Sequence, residues 1–153
     1  MKLQGQSGQS MVEFALIITV FLALLFAVFS SALYSVQRSA AVTAAAAGAR
    51  AAAGTDPFDA NRPALESAGP IIQRRLGPVL FGSKLTIARA GAACPSPRVA
   101  AVGELIVCST LDPANPSLVM VGIRGRPYNP FGFIGLAWEL DATAEFHRET
   151  FSR

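Results

Sequence analysis

Histidine and cysteine are almost missing from this chain, and one long stretch of it carries no charge at all. The 153 residues include a single histidine, His147, and two cysteines, Cys94 and Cys108. A metal centre draws three or four ligands, chiefly from Cys, His and acidic residues, so this inventory argues against a zinc site. The two cysteines are not a Cys-x-x-Cys pair, which removes the usual redox-catalytic arrangement. No Gly-rich phosphate loop follows a strand pattern, and no G-x-S-x-G elbow occurs. Basic residues outnumber acidic ones only 13 to 10 and form no run. Nucleic-acid recognition calls for a clustered basic face, so that class of partner is set aside. Asp56, Asp59, Glu66, Glu104 and Asp112 are scattered through loops and strand ends. We expect no enzyme, no cofactor and no bound metal.

What the chain does have is apolar length. Phe14–Val36 is 23 uncharged residues, rich in Phe, Leu, Ile, Val and Ala. As a helix it is about 35 Å long, against about 30 Å for a bilayer's hydrocarbon core. A secretory signal peptide is the main rival, but its apolar region usually runs about 7–15 residues. Ser30-Ser31-Ala32 imitates a cleavage site, yet the apolar run continues past it. A retained single span is the expectation. Ser39–Ala53 is then almost all Ala, the strongest helix former, with no Pro before Pro57 and a natural helix stop at Gly54. A helix is therefore predicted from about residue 10 to 53. Its second half lacks long side chains, so other backbones can come close. The candidate backbones are those of its own domain, of neighbouring subunits, or of both on different faces. Lys2 before the span and Arg38 after it nearly balance, so charge does not orient it.

Ser10-Met11-Val12-Glu13 fits a capping box, with Ser10 as N-cap and Glu13 three residues on. On that reading Glu13 gains about 0.3–1 kcal/mol from the helix dipole and has no further role. The longer phrase Gly8-Gln9-Ser10-Met11-Val12-Glu13-Phe14 also resembles the N-terminus of a type IV pilin-like precursor. Counting Gln9 as the first mature residue puts Glu13 fifth, where that superfamily keeps its intramembrane acid. A cut after Gly5 would put Ser10 there instead. GQSMVEFALI, the Ala-rich stretch Ala40–Gly54 with Ala-Gly-Ala-Arg at Ala47–Arg50, and Pro127-Tyr128-Asn129-Pro130-Phe131 leading into Leu136–Glu149 together resemble the TadE-like family of tight-adherence (Flp) pilus systems. One departure is Gln9, where many pilins begin the mature chain with Phe.

The resemblance implies a minor pilin or pseudopilin acting in pilus assembly, initiation or a tip complex, and hence in adhesion. Residues 1–8 would be a leader removed by a prepilin peptidase between Gly8 and Gln9. Glu13 would serve processing and assembly, pairing with a neighbour's new α-amino group. Expected partners are other pilin-like subunits, the peptidase and the inner-membrane assembly platform. The N-terminus would be cytoplasmic and the C-terminal domain periplasmic, reaching the cell exterior once assembled. An uncleaved single-span protein with a periplasmic binding domain is the alternative.

Residues 55–153 read as one modest α+β domain. Asp56-Pro57 and Asn61-Arg62-Pro63 are turn or helix-start signals. Pro63–Arg75 has helical spacing interrupted by Gly69-Pro70, which predicts one or two short helices ending at Gly77-Pro78. Strand patterns follow at Lys84–Arg89, Val99–Ser109 and Leu118–Arg124. The clearest alternation is last, with Leu136, Trp138, Leu140, Ala142, Ala144 and Phe146 on one face and Glu139, Asp141, Thr143, Glu145 and His147 on the other. A small antiparallel sheet packed on the C-terminal half of the long helix is the expectation. Arg124-Gly125-Arg126 reads as a solvated basic turn, and Tyr128–Phe133 as an aromatic loop covering the core or forming a contact edge. In the periplasmic topology Cys94 and Cys108 are expected to form a disulfide. It would close a 15-residue loop, for about 3 kcal/mol in the chain-entropy account.

Overall fold

The computed structural model describes residues 6–55, 64–88, 94–112, 115–131 and 138–148. The turn signals at 56–63, and Phe133, Leu136 and Glu149, lie outside the described residues.

One helix dominates. α1 (Gln6–Ala53) runs 48 residues without a break, about 72 Å at 1.5 Å per residue. No Gly or Pro occurs between Gln9 and Ala47. Several hydroxyls turn back onto the helix: Thr19 Oγ1 donates to the Ala15 carbonyl at 2.7 Å, Ser31 Oγ to Val28 at 2.8 Å and Ser35 Oγ to Ser31 at 2.9 Å. These bonds satisfy them without outside partners, which suits an apolar solvent. The helix stops at Ala53, where the Gly54 N–H donates to the Arg50 carbonyl and Thr55 Oγ1 to the Ala52 carbonyl. The start needs a correction. Gln6, the first described residue, is already helical, so Ser10 lies at least a turn inside the helix and is not its N-cap. Gln6-Ser7-Gly8 contains no Pro, and a helix once nucleated extends through such residues readily.

α2 (Ala64–Leu76) is a single helix that passes through Pro70. An internal Pro loses a hydrogen bond and crowds the carbonyl four residues back. Here Pro70 and Glu66 are both exposed, so the displaced carbonyl faces solvent. Leu65, Ala68, Ile72 and Leu76, at three- and four-residue spacing, are buried in the core with α1. That packing outweighs the local break. A 3₁₀ turn, Gly77–Val79, ends the segment.

Among the described residues four strands follow in spatial order β1-β2-β3-β4: β1 (Lys84–Ile87), β2 (Glu104–Asp112), β3 (Asn115–Arg126) and β4 (Leu140–His147). The fold is α+β, with the helix-to-sheet packing the patterning implies. The sheet, however, is mixed: β2–β3 and β3–β4 are antiparallel, whereas β1 pairs β2 in parallel. The chain between Ile87 and Glu104 supplies the crossover that a parallel pair needs. A short edge strand shows the same alternation in either direction, so its pattern carries no direction. The stretch Val99–Gly103 is not strand. Pro97–Val99 is a 3₁₀ turn, Val102 makes a lone bridge to Arg126, and Gly103, at φ +84°, turns the chain into β2. Arg124-Gly125-Arg126 is the end of β3 and not a turn. Gly125 has φ +155°, and a Cβ there would run into the Glu104 carbonyl oxygen.

The core forms between α1, α2 and one sheet face. Ala41, Ala44, Ala45, Ala49 and Ala52 of α1 are fully buried against Leu105, Val107, Val121, Ile123, Leu140 and Ala142. Gly48 lets α2 come close, since a Cβ at that position would lie 2.6 Å from Ile72 Cδ1. The Ala-rich half of the helix thus packs on its own domain, leaving Val42, Thr43 and Arg50 exposed. The other sheet face carries Cys108, opposite Gly122 and Thr143 in the ladder.

Candidate membrane and assembly interface

From Gln9 to Leu24 every residue of α1 is exposed. Side chains that would be core elsewhere stand open, Met11 at 77% and Phe14 at 67%. Glu13 is the only charge in this stretch and is itself exposed. Gln9 precedes it by one helical turn, so the two share a side of α1. The Gly8–Gln9 bond lies inside the helix, within one turn of the first described residue, Gln6.

Cover begins at Leu25 and Phe26. A stripe at three- and four-residue spacing, Phe26, Ser30, Tyr34 and Gln37, continues into the buried alanines and turns towards the sheet domain. Phe131 stacks on Phe26 with ring centroids 5.7 Å apart and lies 6.1 Å from Phe29. Trp138 stacks on Tyr34 at 4.7 Å, and the Tyr34 hydroxyl donates to the Glu139 carbonyl at 2.9 Å. The Glu139 carboxylate accepts from Arg98 at 2.9 Å. A small cleft lies between Ser30, Tyr34 and Gln37 on the helix and Pro127, Tyr128 and Trp138 opposite. Ser30 Oγ and the Trp138 indole N–H are buried there with no hydrogen-bond partner among the described residues.

Pro127, Tyr128, Phe131 and Trp138 thus form a base on which the domain rests against the helix. Reading Phe14–Val36 as a uniform span missed this contact. The available signal was the polar spacing of Ser30, Tyr34 and Gln37 inside an apolar run, because three polar groups on one helical side need protein to face.

Farther up, Arg50 lies over the Phe146 ring, 5.5 Å from its centroid. Cys94 and Cys108 are joined in a disulfide with Cα atoms 5.3 Å apart. The bridge sits over Gly122, where a Cβ would come 3.2 Å from Cys108 Sγ and 3.4 Å from Cys94 Sγ. It therefore pins the β1–β2 crossover to the outer sheet face, away from α1. His147 is exposed at the far end of β4. Among the described residues no three His, Cys, Asp or Glu side chains gather as a metal site.

The uncovered apolar rod headed by one acid, together with the alanine-rich half that follows it, is the part of the chain that a known family resembles. Residues 8–50 match the TadE-like protein family. The TadE-like segment opens at Gly8 and closes at Arg50, so it spans the bare rod and the alanine-rich packing surface. The sheet domain lies outside it, including the 119–149 stretch. No curated protein and no solved structure matches the chain. The TadE-like match points to a protein associated with tight-adherence pili. Among the described residues one helix, near the N-terminus, is long and apolar enough to cross a membrane, which fits a membrane-anchored pilus component.

Proposed function

We propose that the chain is the precursor of a minor pilin or pseudopilin of a tight-adherence pilus, cut after Gly8 and assembled through its bare helix. The observation that carries this reading is the register of Gly8, Gln9 and Glu13 at the head of an uncovered 16-residue apolar stretch, Gln9–Leu24. Gly8 is a poor helix former, about 1 kcal/mol worse than Ala, so the helix opens cheaply there for a peptidase. Cutting there frees the α-amino group of Gln9, a cation at the membrane edge. A neighbour's Glu13 carboxylate is its natural partner, since an unpaired charge is strongly disfavoured at low dielectric. That pairing would set the axial register between subunits. Cleavage would also leave Ser10 as the second residue, where it can cap the shortened helix.

The energetics favour handing the rod from lipid to other helices. Twelve large apolar side chains between Met11 and Phe29 are exposed. At about 1.5–3 kcal/mol each, leaving them in water would cost tens of kcal/mol, beyond the 5–15 kcal/mol that holds an ordinary domain together. A bundle of sister helices can satisfy the surface that lipid satisfies, so extraction need not wet it. The chain would sit in the inner membrane with its N-terminus cytoplasmic and its domain periplasmic, where the disulfide suits an oxidising compartment. Its partners would be other pilin-like subunits, the prepilin peptidase and the assembly platform. Its role would be initiation or a tip complex, without catalysis of its own.

Mass spectrometry of the mature N-terminus, with and without the peptidase, tests this. A chain starting at Gln9 only when the peptidase is present is expected. An intact N-terminus in both cases would leave an uncleaved single-span protein with a periplasmic domain.

A further inference from the structure

We infer that the strand-end base of the sheet domain is itself a membrane-surface site, seated in the headgroup and upper acyl region of the bilayer that α1 crosses. This rests on the membrane-span reading and adds to it where the domain sits. Three observations carry it.

The first is length. Measured from Phe14, the first residue after Glu13, Phe26 and Phe29 lie about 18 and 23 Å along the helix axis, and Tyr34 about 30 Å. The hydrocarbon core is about 30 Å thick. Phe131 touches the helix at the level of Phe26 and Phe29, so a bilayer that begins at Phe14 reaches the domain before it ends. Tilting α1 shortens the projection and brings the domain deeper.

The second is composition at that end. Register places the start of β1, the start of β2, the end of β3 and the start of β4 together, with Lys84, Glu104 and Arg126 in one row and Leu140 beside Gly125. The connections leaving this end carry exposed Val99 (75%), Val102 (63%), Phe81 and Tyr128. They are mutually tied: the Tyr128 N–H donates to Ser83 Oγ at 2.8 Å, and the Lys84 N–H to the Gly103 carbonyl at 2.7 Å. A rim of apolar side chains on a tied scaffold, beside an apolar helix, continues that helix's lipid-facing surface.

The third is where the polar groups fall. The Tyr34–Trp138 stack and the Arg98–Glu139 pair lie at about the 30 Å level, where aromatic and charged side chains settle at a membrane interface. Lys84 and Arg98 are exposed at this end and can reach phosphate headgroups while their stems stay in apolar surroundings.

The test uses the full chain reconstituted in phosphatidylethanolamine/phosphatidylglycerol vesicles doped with acyl-brominated phosphatidylcholine, a contact quencher of indole. In a Trp138→Phe background, single reporters are placed by Val102→Trp and Val99→Trp at the base, Glu145→Trp at the far end of β4, and Leu22→Trp within the span. The expected result is loss of emission for Leu22→Trp, Val102→Trp and Val99→Trp, and none for Glu145→Trp. Quenching of Leu22→Trp without either base reporter overturns the inference while leaving the span in place. Equal quenching of Glu145→Trp overturns it too, because the domain would then lie on its side. No quenching of Leu22→Trp removes the membrane-span reading and the inference with it.

Discussion

Alanine at position 48 measures how closely the two helices approach. In an open helix, Gly→Ala stabilises by about 1 kcal/mol through backbone entropy. At this position the new Cβ would meet Ile72 Cδ1 at 2.6 Å, Ile72 Cγ1 at 2.8 Å and Ala68 Cβ at 3.6 Å. Ile72 is fully buried, so its side chain has little room to swing aside. Overpacking a filled core costs about 1–3 kcal/mol, and set against the helix gain it leaves a net loss of about 1 kcal/mol. Ile72→Val removes Cδ1 and alone costs about 0.5–1.5 kcal/mol. Because it also relieves the closest of these contacts, the double variant should be more stable than the summed single effects by at least about 0.5 kcal/mol. Denaturant titration of the full chain in mild detergent, followed by far-UV circular dichroism and by the lone tryptophan, Trp138, gives all four corners of the cycle. If Gly48→Ala gains the full helix increment and is additive with Ile72→Val, then α1 and α2 do not touch there and the packing described above is wrong.

Three further outcomes follow from the same geometry. Gly125→Ala should destabilise by about 2–5 kcal/mol, since it combines an unfavourable backbone angle with a collision at the Glu104 carbonyl; a denaturation midpoint equal to that of the parent would rule this out. Reducing the Cys94–Cys108 bridge should lower stability by about 3 kcal/mol, and coincident denaturation curves with and without a thiol would show that the crossover needs no pin. Glu13→Gln should still insert in the membrane but lose subunit pairing and filament assembly. Unchanged processing, co-purification of partner subunits and piliation would eliminate the proposed charge pairing.

α1 was legible because its signals agree: uncharged length, alanine content, and Gly54 just past the end. β4 was legible over Leu140 and Ala142, which alternate inward against exposed Asp141 and Thr143. The alternation fades at Phe146, exposed where Arg50 covers its ring. Three features were hidden for physical reasons. The parallel β1–β2 pairing depends on where a crossover goes, which alternation does not encode. The passage of α2 through Pro70 depends on tertiary packing that outweighs a local break. The helicity of Gln6–Gln9 depends on propagation from a strong helix into a weak leader, so Ser10 resembled a cap. The aromatic base at Phe131 required a long-range contact that only three polar residues on the helix hinted at.

An unhinged α1 behaves as a drive shaft. With no Gly or Pro from Gln9 through Ala47, a pull or twist delivered at the acidic tip arrives at the alanine-clad end almost undiminished. The sheet is clamped to that end, so it must ride along as cargo and cannot lag behind on a tether.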